Sequence, residues 1–423
     1  MTALRIGIDG YNLGLPQGTG IKTYGINLIK LIGSAGFHPE ILHEARLRGR
    51  TRALREVSLF DAYEGSGGVL DWCTRKPGLV VRSALGSKSS RIQLTDAVHL
   101  DPSRSYWKIF SAIECAADVY RLAFRQFRYT NRAHRVYWEK PPDIWHTTTL
   151  VPIVVPGVPR ITTVHDLIPI RLPWATLDEK QMFVRLLQES VRNSERILTV
   201  SEHTRQDVLE FTDAKDDQVV NVHQSVPPPP STLPESELRR TLRTLGIEPG
   251  RYGLFVGAVE PKKNIGRLLS AFMRVPEPWK LVMVGPDGWQ SARELELIKG
   301  PLRHRVVRMG YVPRSELTAL MQGARALFFP SLLEGFGLPP VEAMHFSCPA
   351  LISNQGSLPE VCGQASLQCD PYDVGKLSAS MMDLLENETL RKGLQIHMPE
   401  VLSQYAADVQ SQALSEIYRR VAR

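Results

Sequence analysis

The chain has 423 residues, 43% of them hydrophobic and 22% charged, and carries a formal net charge of +7. That length exceeds what one hydrophobic core usually supports, so two or three domains of an ordinary soluble globular protein are expected. Positions 41–140 hold 18 Lys and Arg against 10 Asp and Glu, while the rest of the chain holds 33 against 34, which disfavours general nucleic-acid binding and points to a localised anionic partner.

No apolar run reaches the eighteen or so residues of a membrane span, and Met1-Thr2-Ala3-Leu4-Arg5 shows no signal-peptide core. Cys73, Cys115, Cys348, Cys362 and Cys369 form no C-x-x-C pair, and their odd number argues against a disulfide framework. A reducing, cytoplasmic setting is therefore expected. There is no Asp-x-Asp and no H-E-x-x-H among the eleven histidines, so no metal is expected.

In chain order, Arg5-Ile6-Gly7-Ile8-Asp9 reads as a strand, followed by a glycine-rich loop from Gly10 to Gly20. Ile21, Tyr24, Leu28, Leu31 and Ile32 then recur at helical spacing. Further strands are predicted at Ile144-Trp145-His146, Ile161-Thr162-Thr163-Val164 and Ile197-Leu198-Thr199-Val200. The proline-rich stretch from Val226 to Pro234 fits neither a regular helix nor a central strand and reads as a stiff linker. Beyond it, strands at Leu254-Phe255-Val256, Leu281-Val282-Met283-Val284, Val306-Val307, Ala326-Leu327-Phe328-Phe329 and Ala350-Leu351-Ile352 alternate with helices. Such alternation implies an α/β fold with parallel sheets covered on both faces. The expected domains are 1–225 and 237–398, joined by a linker over 226–236, with a last helix over 399–421.

The segment Glu334-Gly335-Phe336-Gly337-Leu338-Pro339-Pro340-Val341-Glu342 carries the most chemical information. Glu334 falls in the loop beyond a buried strand's carboxyl end, where open α/β sheets bind ligands. The proline pair is preset for a first helical turn, which puts Glu342 near the third helical position. Carboxylates accept hydrogen bonds from hydroxyls, and the amides of Phe336, Gly337 and Leu338 can face a phosphate or sugar oxygen. A polyhydroxylated, phosphate-bearing ligand fits this chemistry, which indicates a sugar nucleotide. Two glutamates at this spacing, taken alone, are explained as well by a capping Glu342 and a solvated Glu334. The whole run, with Ser353-Asn354-Gln355-Gly356-Ser357-Leu358-Pro359-Glu360-Val361 after it, closely resembles the E-x7-E region of family 4 retaining glycosyltransferases. That resemblance implies the GT-B architecture, two Rossmann-like parallel-sheet domains facing a cleft, with the last helix crossing back onto the first domain.

Gly257-Ala258-Val259-Glu260-Pro261-Lys262-Lys263-Asn264 follows a strand and opens a helix. Glycine lets backbone approach a diphosphate, Asn264 can cap the helix, and lysine adds positive charge. A merely solvated lysine pair at a helix start would oppose the helix dipole. The segment resembles the family's diphosphate-binding stretch, with Lys263 matching its lysine. Ala258 stands where the family has arginine, and Lys262 can supply part of the missing charge. Gly18-Thr19-Gly20-Ile21 lacks the spacing of a Walker loop and of a dinucleotide fingerprint, and it resembles the family's N-terminal glycine loop. Val164-His165-Asp166-Leu167 matches a His-Asp pair of these transferases, which implies a sugar-hydroxyl contact for His165 and a supporting bond for Asp166. Ser201 reads as the N-cap of the helix through Val208. Gly310-Tyr311-Val312-Pro313 lies at a strand end where the resemblance places the nucleobase-contacting loop, so that either Tyr311 or the Val312 backbone touches the base, or the segment packs in the core. Ser347 replaces a glycine usual in the family.

The resemblance thus implies His165, Lys263 and Glu334 as catalytic residues. The donor site comprises Gly18, Gly20, Gly257, Lys262, Lys263, Val312, Glu334, Gly335, Phe336, Gly337, Leu338 and Glu342. No cofactor is expected beyond the donor substrate. The resemblance is to the mannosyltransferase-like branch, so GDP-mannose is the favoured donor, with UDP- and dTDP-sugars open. The acceptor is a growing surface polysaccharide or a lipid-linked oligosaccharide. A phosphorylase, an epimerase or an inactive scaffold on the same fold are the rival readings. Arg121, Arg125, Arg128, Arg132 and Arg135 recur at helical spacing, interleaved with Tyr120, Phe124 and Phe127 and preceded by Tyr106, Trp107 and Phe110. They form either a surface for an anionic membrane at the inner face of the plasma membrane or a solvated basic face with aromatics in the core.

Overall fold

The structure, a computed structural model, describes residues 3–14, 20–61, 86–95, 98–99, 102–229 and 232–423. Its N-terminal strands are β1 (Arg5–Asp9), β2 (His38–His43), β3 (Ser87–Lys88), β4 (Ser90–Ile92), β5 (Ala112–Cys115), β6 (His134–Tyr137), β7 (Ile144–Thr147), β8 (Ile153–Val154), β9 (Arg160–Val164), β10 (Arg196–Thr199) and β11 (Val219–Asn221). Eight of them form one sheet in the order β11-β10-β9-β7-β1-β2-β5-β4, while β3, β6 and β8 form a small separate one. Every pairing in the large sheet is parallel except that of β4 with β5.

A second sheet contains β12 (Tyr252–Val256), β13 (Lys280–Val284), β14 (Val306–Met309), β15 (Ala326–Phe329), β16 (Ala350–Ser353) and β17 (Ser366–Cys369). Its order is β14-β13-β12-β15-β16-β17, and all its pairings are parallel. Strands β9, β15 and β16 are buried along their whole length, as sheets covered on both faces require. Ile265, Leu268, Leu269 and Phe272, spaced for one helix face, are buried on the helix Ile265–Phe272. This is the expected α/β architecture, two Rossmann-like halves whose strand ends face each other.

The chain passes between the halves twice. Val226 N–H donates to Tyr405 O at 3.0 Å, and His345 Nε2 donates to Val226 O at 3.0 Å, so the outgoing and returning segments touch. The returning segment is not one helix over 399–421. Helix Glu388–Gln404 already contains Pro399, the chain breaks at Tyr405–Ala406, and a second helix runs Ala407–Val421. That second helix lies against the helix Gly20–Ser34. Tyr418 is fully buried there and meets His146 Nδ1 at 2.7 Å.

The arginine series is also only partly helical. The helix spans Val119–Thr130 and ends on Asn131 in a left-handed conformation, so Arg132 lies beyond it and Arg135 sits on β6. Tyr106, Trp107, Phe110, Tyr120 and Phe127 are buried in the core, which assigns most of the interleaved aromatics to packing. Arg121 pairs with Asp118 and Arg128 with Glu179, both at 2.9 Å.

Candidate active site

Glu334 follows β15 in a buried loop, and its Oε1 accepts from Lys263 Nζ at 2.5 Å. The Lys263 ammonium also stands 4.7 Å from the centroid of Phe329, the last residue of β15. Lys263 reaches this point from a short 3-10 turn, Pro261–Lys263, and not from the helix itself. Asn264 follows in a left-handed conformation, with φ 59°. Its side chain makes no cap; Nδ2 instead donates to Pro330 O and Pro371 O at 3.1 and 2.7 Å. Asn264 therefore fastens the lysine turn to the Glu334 loop, a role that capping logic misses.

Burial alone would push the Glu334 carboxyl up, but the ammonium groups of Lys263 and Lys262 outweigh it and hold the carboxyl below its usual range. Burial likewise opposes the charge on Lys262, and Asp166, Glu334, Glu260 and Asp178 more than offset it, so Lys262 stays protonated. The Asp166 carboxyl is raised by burial, with Lys262 opposing, and it accepts from Ile168 N–H at 3.1 Å. Two lysines and four carboxylates thus share one neighbourhood.

Gly335 brings the two halves into contact. A Cβ there would collide with the carbonyl oxygen of His165 and with Asp166 Cβ, so only glycine lets the Glu334 loop approach this closely. Gly337 has φ 92°, a left-handed turn that opens the helix Leu338–Met344, with Pro339 and Pro340 in its first turn. A Cβ on Gly20 would lie 3.8 Å from Leu338 Cδ1, which brings the first helix of the N-terminal half to the same cleft.

His165 is set by the backbone behind it. Its Nε2–H donates to Thr148 O at 2.8 Å, and Tyr24 packs edge-on against the ring at 4.8 Å. A carbonyl can only accept, so Nε2 carries the hydrogen and Nδ1 keeps its lone pair. Burial lowers the imidazole to about 4, the Thr148 bond opposing, so the ring is neutral near pH 7. Thr148 N–H in turn donates to Asp9 at the end of β1. Burial pushes the Asp9 carboxyl up to about 6, against the bonds from Thr148 and Tyr11. The sequence reading passed over Asp9; an acidic residue closing an otherwise apolar buried strand was the available signal.

The structure gathers Gly20, His165, Gly257, Lys262, Lys263, Glu334, Gly335, Gly337 and Leu338, with Gly257 close enough that its Cβ would lie 3.6 Å from Lys263 Cε. Gly18 lies outside the described residues. Phe336 contributes packing: it is 4% exposed and meets Tyr405 edge-on at 5.2 Å. Val312 packs partly buried against the core of its half, while Tyr311 is 70% exposed. Glu342 is the fifth residue of its helix, two positions later than expected, because the helix opens at Leu338. It lines a separate pocket with Arg314, Leu317, His345 and Pro227, where burial raises its carboxyl and Arg314 opposes. Ser201 is the expected N-cap, accepting from Thr204 N–H at 3.1 Å.

Comparison with known proteins agrees with this geometry. Residues 243–405 match the family profile of "Glycosyl transferases group 1", and residues 109–228 match "Glycosyltransferase Family 4". The chain is 32% identical over 238 residues to O-antigen chain mannosyltransferase B of Escherichia coli, a match covering 55% of this chain and 62% of that protein. It is 27% identical over 212 residues to O-antigen chain mannosyltransferase RfbU of Salmonella typhimurium, covering 50% of this chain and 56% of that one. The match to the serotype-specific mannosyltransferase WbdA of Escherichia coli is 30% identical and spans 30% of that protein, so the chain covers less than two thirds of each of these relatives. Among solved structures, sucrose-phosphate synthase from Thermosynechococcus elongatus superposes with a TM-score of 0.67 at 15% identity, over 99% of both chains. Anabaena HepE, solved with UDP and glucose, superposes with a TM-score of 0.64 at 13% identity, over 99% of this chain and 100% of that one. By its two profile matches and its fold, the chain belongs to the group 1, family 4 glycosyltransferases of the GT-B class.

Proposed function

We propose that the protein is a retaining, metal-independent glycosyltransferase that moves mannose from GDP-mannose onto a growing surface polysaccharide or lipid-linked oligosaccharide. The observation that carries this reading is the Lys263–Glu334 pair at 2.5 Å, held at the point where the halves touch through Gly335 and His165. Lys263, supported by Lys262, stabilises charge on the leaving diphosphate. Glu334 accepts hydrogen bonds from donor-sugar hydroxyls, and the bare Nδ1 of neutral His165 accepts another. The bond between the anomeric carbon and the phosphate oxygen breaks, and a new bond to the acceptor oxygen forms on the same face. The acceptor's proton passes to the departing diphosphate.

The mannose preference rests on the O-antigen mannosyltransferases that the chain resembles. A UDP-sugar is the second reading, since Anabaena HepE, which shares the fold, was solved with UDP and glucose. Thermal shift with GDP, UDP, dTDP and ADP separates them. One nucleoside diphosphate should stabilise the protein well above the others, and a flat response to all four would sink the donor assignment. Near the membrane, the exposed Arg125, Arg132 and Arg135, with Arg121 and Arg128, supply an electrostatic contact to anionic lipid. Sedimentation with phosphatidylglycerol vesicles should show binding that weakens with salt. Salt-independent binding, or none, would remove this partner.

A further inference from the structure

Beside the Lys263–Glu334 pair, a second opening lies between the halves. Thr176, Leu177 and Asp178 form its wall on the N-terminal side, and Glu260, Lys262 and Trp289 form the wall opposite. It encloses about 700 Å³, its solvent-facing mouth included. Both walls are fastened. Lys180 Nζ donates to Thr176 O and Oγ1 at 2.6 and 3.0 Å, fixing the first. Gly288 N–H donates to Val259 O at 3.1 Å and Val259 N–H to Pro286 O at 3.0 Å, so the turn before Trp289 is bonded to the loop bearing Glu260 and Lys262.

The chemistry of this lining differs from that of a phosphate site. Two carboxylates, Asp178 and Glu260, face one ammonium, Lys262, which sits 3.7 Å from Glu260. A diphosphate would meet net repulsion there, whereas neutral hydroxyls can donate to both carboxylates. Trp289 adds an aromatic surface, and its indole Nε1 is buried with no hydrogen-bonding partner among the described residues. Leu177, 73% exposed, adds apolar surface to the N-terminal wall. Apolar and aromatic walls with a few placed polar groups are the makings of a small-molecule site.

We infer that the opening between Leu177, Asp178, Glu260 and Trp289 is the subsite for the non-reducing end of a neutral saccharide acceptor. Trp289 and Leu177 cover its C–H faces, and Asp178 and Glu260 receive its hydroxyls. The inference rests on the transferase reading above and deepens it, because Lys262 borders both this opening and the Lys263–Glu334 pair. An acceptor held here therefore lies next to the donor diphosphate.

Steady-state kinetics with a mannose-terminated oligosaccharide, beside donor hydrolysis measured without acceptor, tests it. Trp289→Ala and the exposed Leu177→Ser should each raise the acceptor KM, Trp289→Ala by about tenfold, the upper range for one lost aromatic contact. The donor KM and the hydrolysis rate should stay within about twofold on that same energy basis, and Trp289→Phe should restore most of the acceptor affinity. An unchanged acceptor KM in both variants, or a parallel rise in donor KM, overturns the subsite while leaving the transferase reading intact. Absence of donor turnover in the unaltered protein overturns both.

Discussion

Lys263 joins the two sides of the proposed chemistry, because one ammonium neutralises Glu334 and faces the site of the leaving diphosphate. Removing it leaves a carboxylate that is 11% exposed with only Lys262 nearby. Lys263→Ala should therefore cost about 2–3 kcal/mol in urea unfolding, somewhat below the loss from a fully buried ion pair. It should also abolish stabilisation by the preferred nucleoside diphosphate, which reaches about 2.7 kcal/mol at a hundredfold excess over Kd. A variant that keeps the nucleotide shift would show that another group holds the phosphates. The Lys263 and Glu334 positions were legible because a glycine- and proline-marked loop follows a wholly apolar strand in each case. Glu342 and Asn264 were misjudged because helix starts are set by local dihedrals: Gly337 and Asn264 both turn left-handed, at φ 92° and 59°. Ser347 shows the same limit, since its φ of 54° explains why glycine is usual there, yet nothing in its sequence neighbours reveals it.

The helix Glu202–Phe211 and the segment around Glu360 form a contact between the halves that no sequence pattern announces. Glu360 accepts from the amides of Glu202 and His203 at 2.7 and 3.0 Å and meets His223 Nε2 at 2.9 Å. Burial would raise its carboxyl, but the bonds from His223 and from the two amides outweigh this and hold it below the usual range. The contact is complete at neutral pH and is lost as pH falls through that lowered value. Glu360→Gln should cost about 1 kcal/mol, typical of a carboxylate at a helix N-terminus, and should enlarge the nucleotide-free protein in small-angle scattering. No change in either measurement would mean that the halves are held elsewhere. The sequence separation of 158 between Glu360 and Glu202 explains the failure to foresee it: the sequence reveals a helix start and an acidic residue, but not that folding joins them. The basic stripe was drawn too long, because Arg132 and Arg135 continue the three- and four-residue spacing past the left-handed Asn131 that ends the helix.

Taken together, the buried titratable groups set how the protein responds to acid. Burial lowers His43 to about 4, His146 to about 3 and His165 to about 4. Each stays neutral when folded and takes up a proton on unfolding below pH about 6.5, so each withdraws stability as pH falls toward its folded value. Asp9 works in the opposite sense: its carboxyl, raised to about 6, favours the folded state at low pH and loses that contribution as pH rises. The Asp166 and Glu342 carboxyls, also raised by burial, act in the same sense as Asp9 and offset part of the imidazole contribution. Urea denaturation of His43→Gln should show a pH dependence near pH 5 that is shallower than that of the unaltered protein by about one proton, roughly 1.4 kcal/mol per pH unit, and an unchanged slope would show that this ring is hydrated. The two-sheet plan was visible in the strand and helix alternation, but the return path of the chain was not, because the break at Tyr405–Ala406 has no glycine or proline to mark it. That return path has a mechanical consequence. The outgoing and returning segments are tied at Val226 and Tyr405, so the two crossings act as one pin between two leaves. Two crossings tied at one point leave the leaves less free to swivel than a single linker would, and favour a swing about that pin.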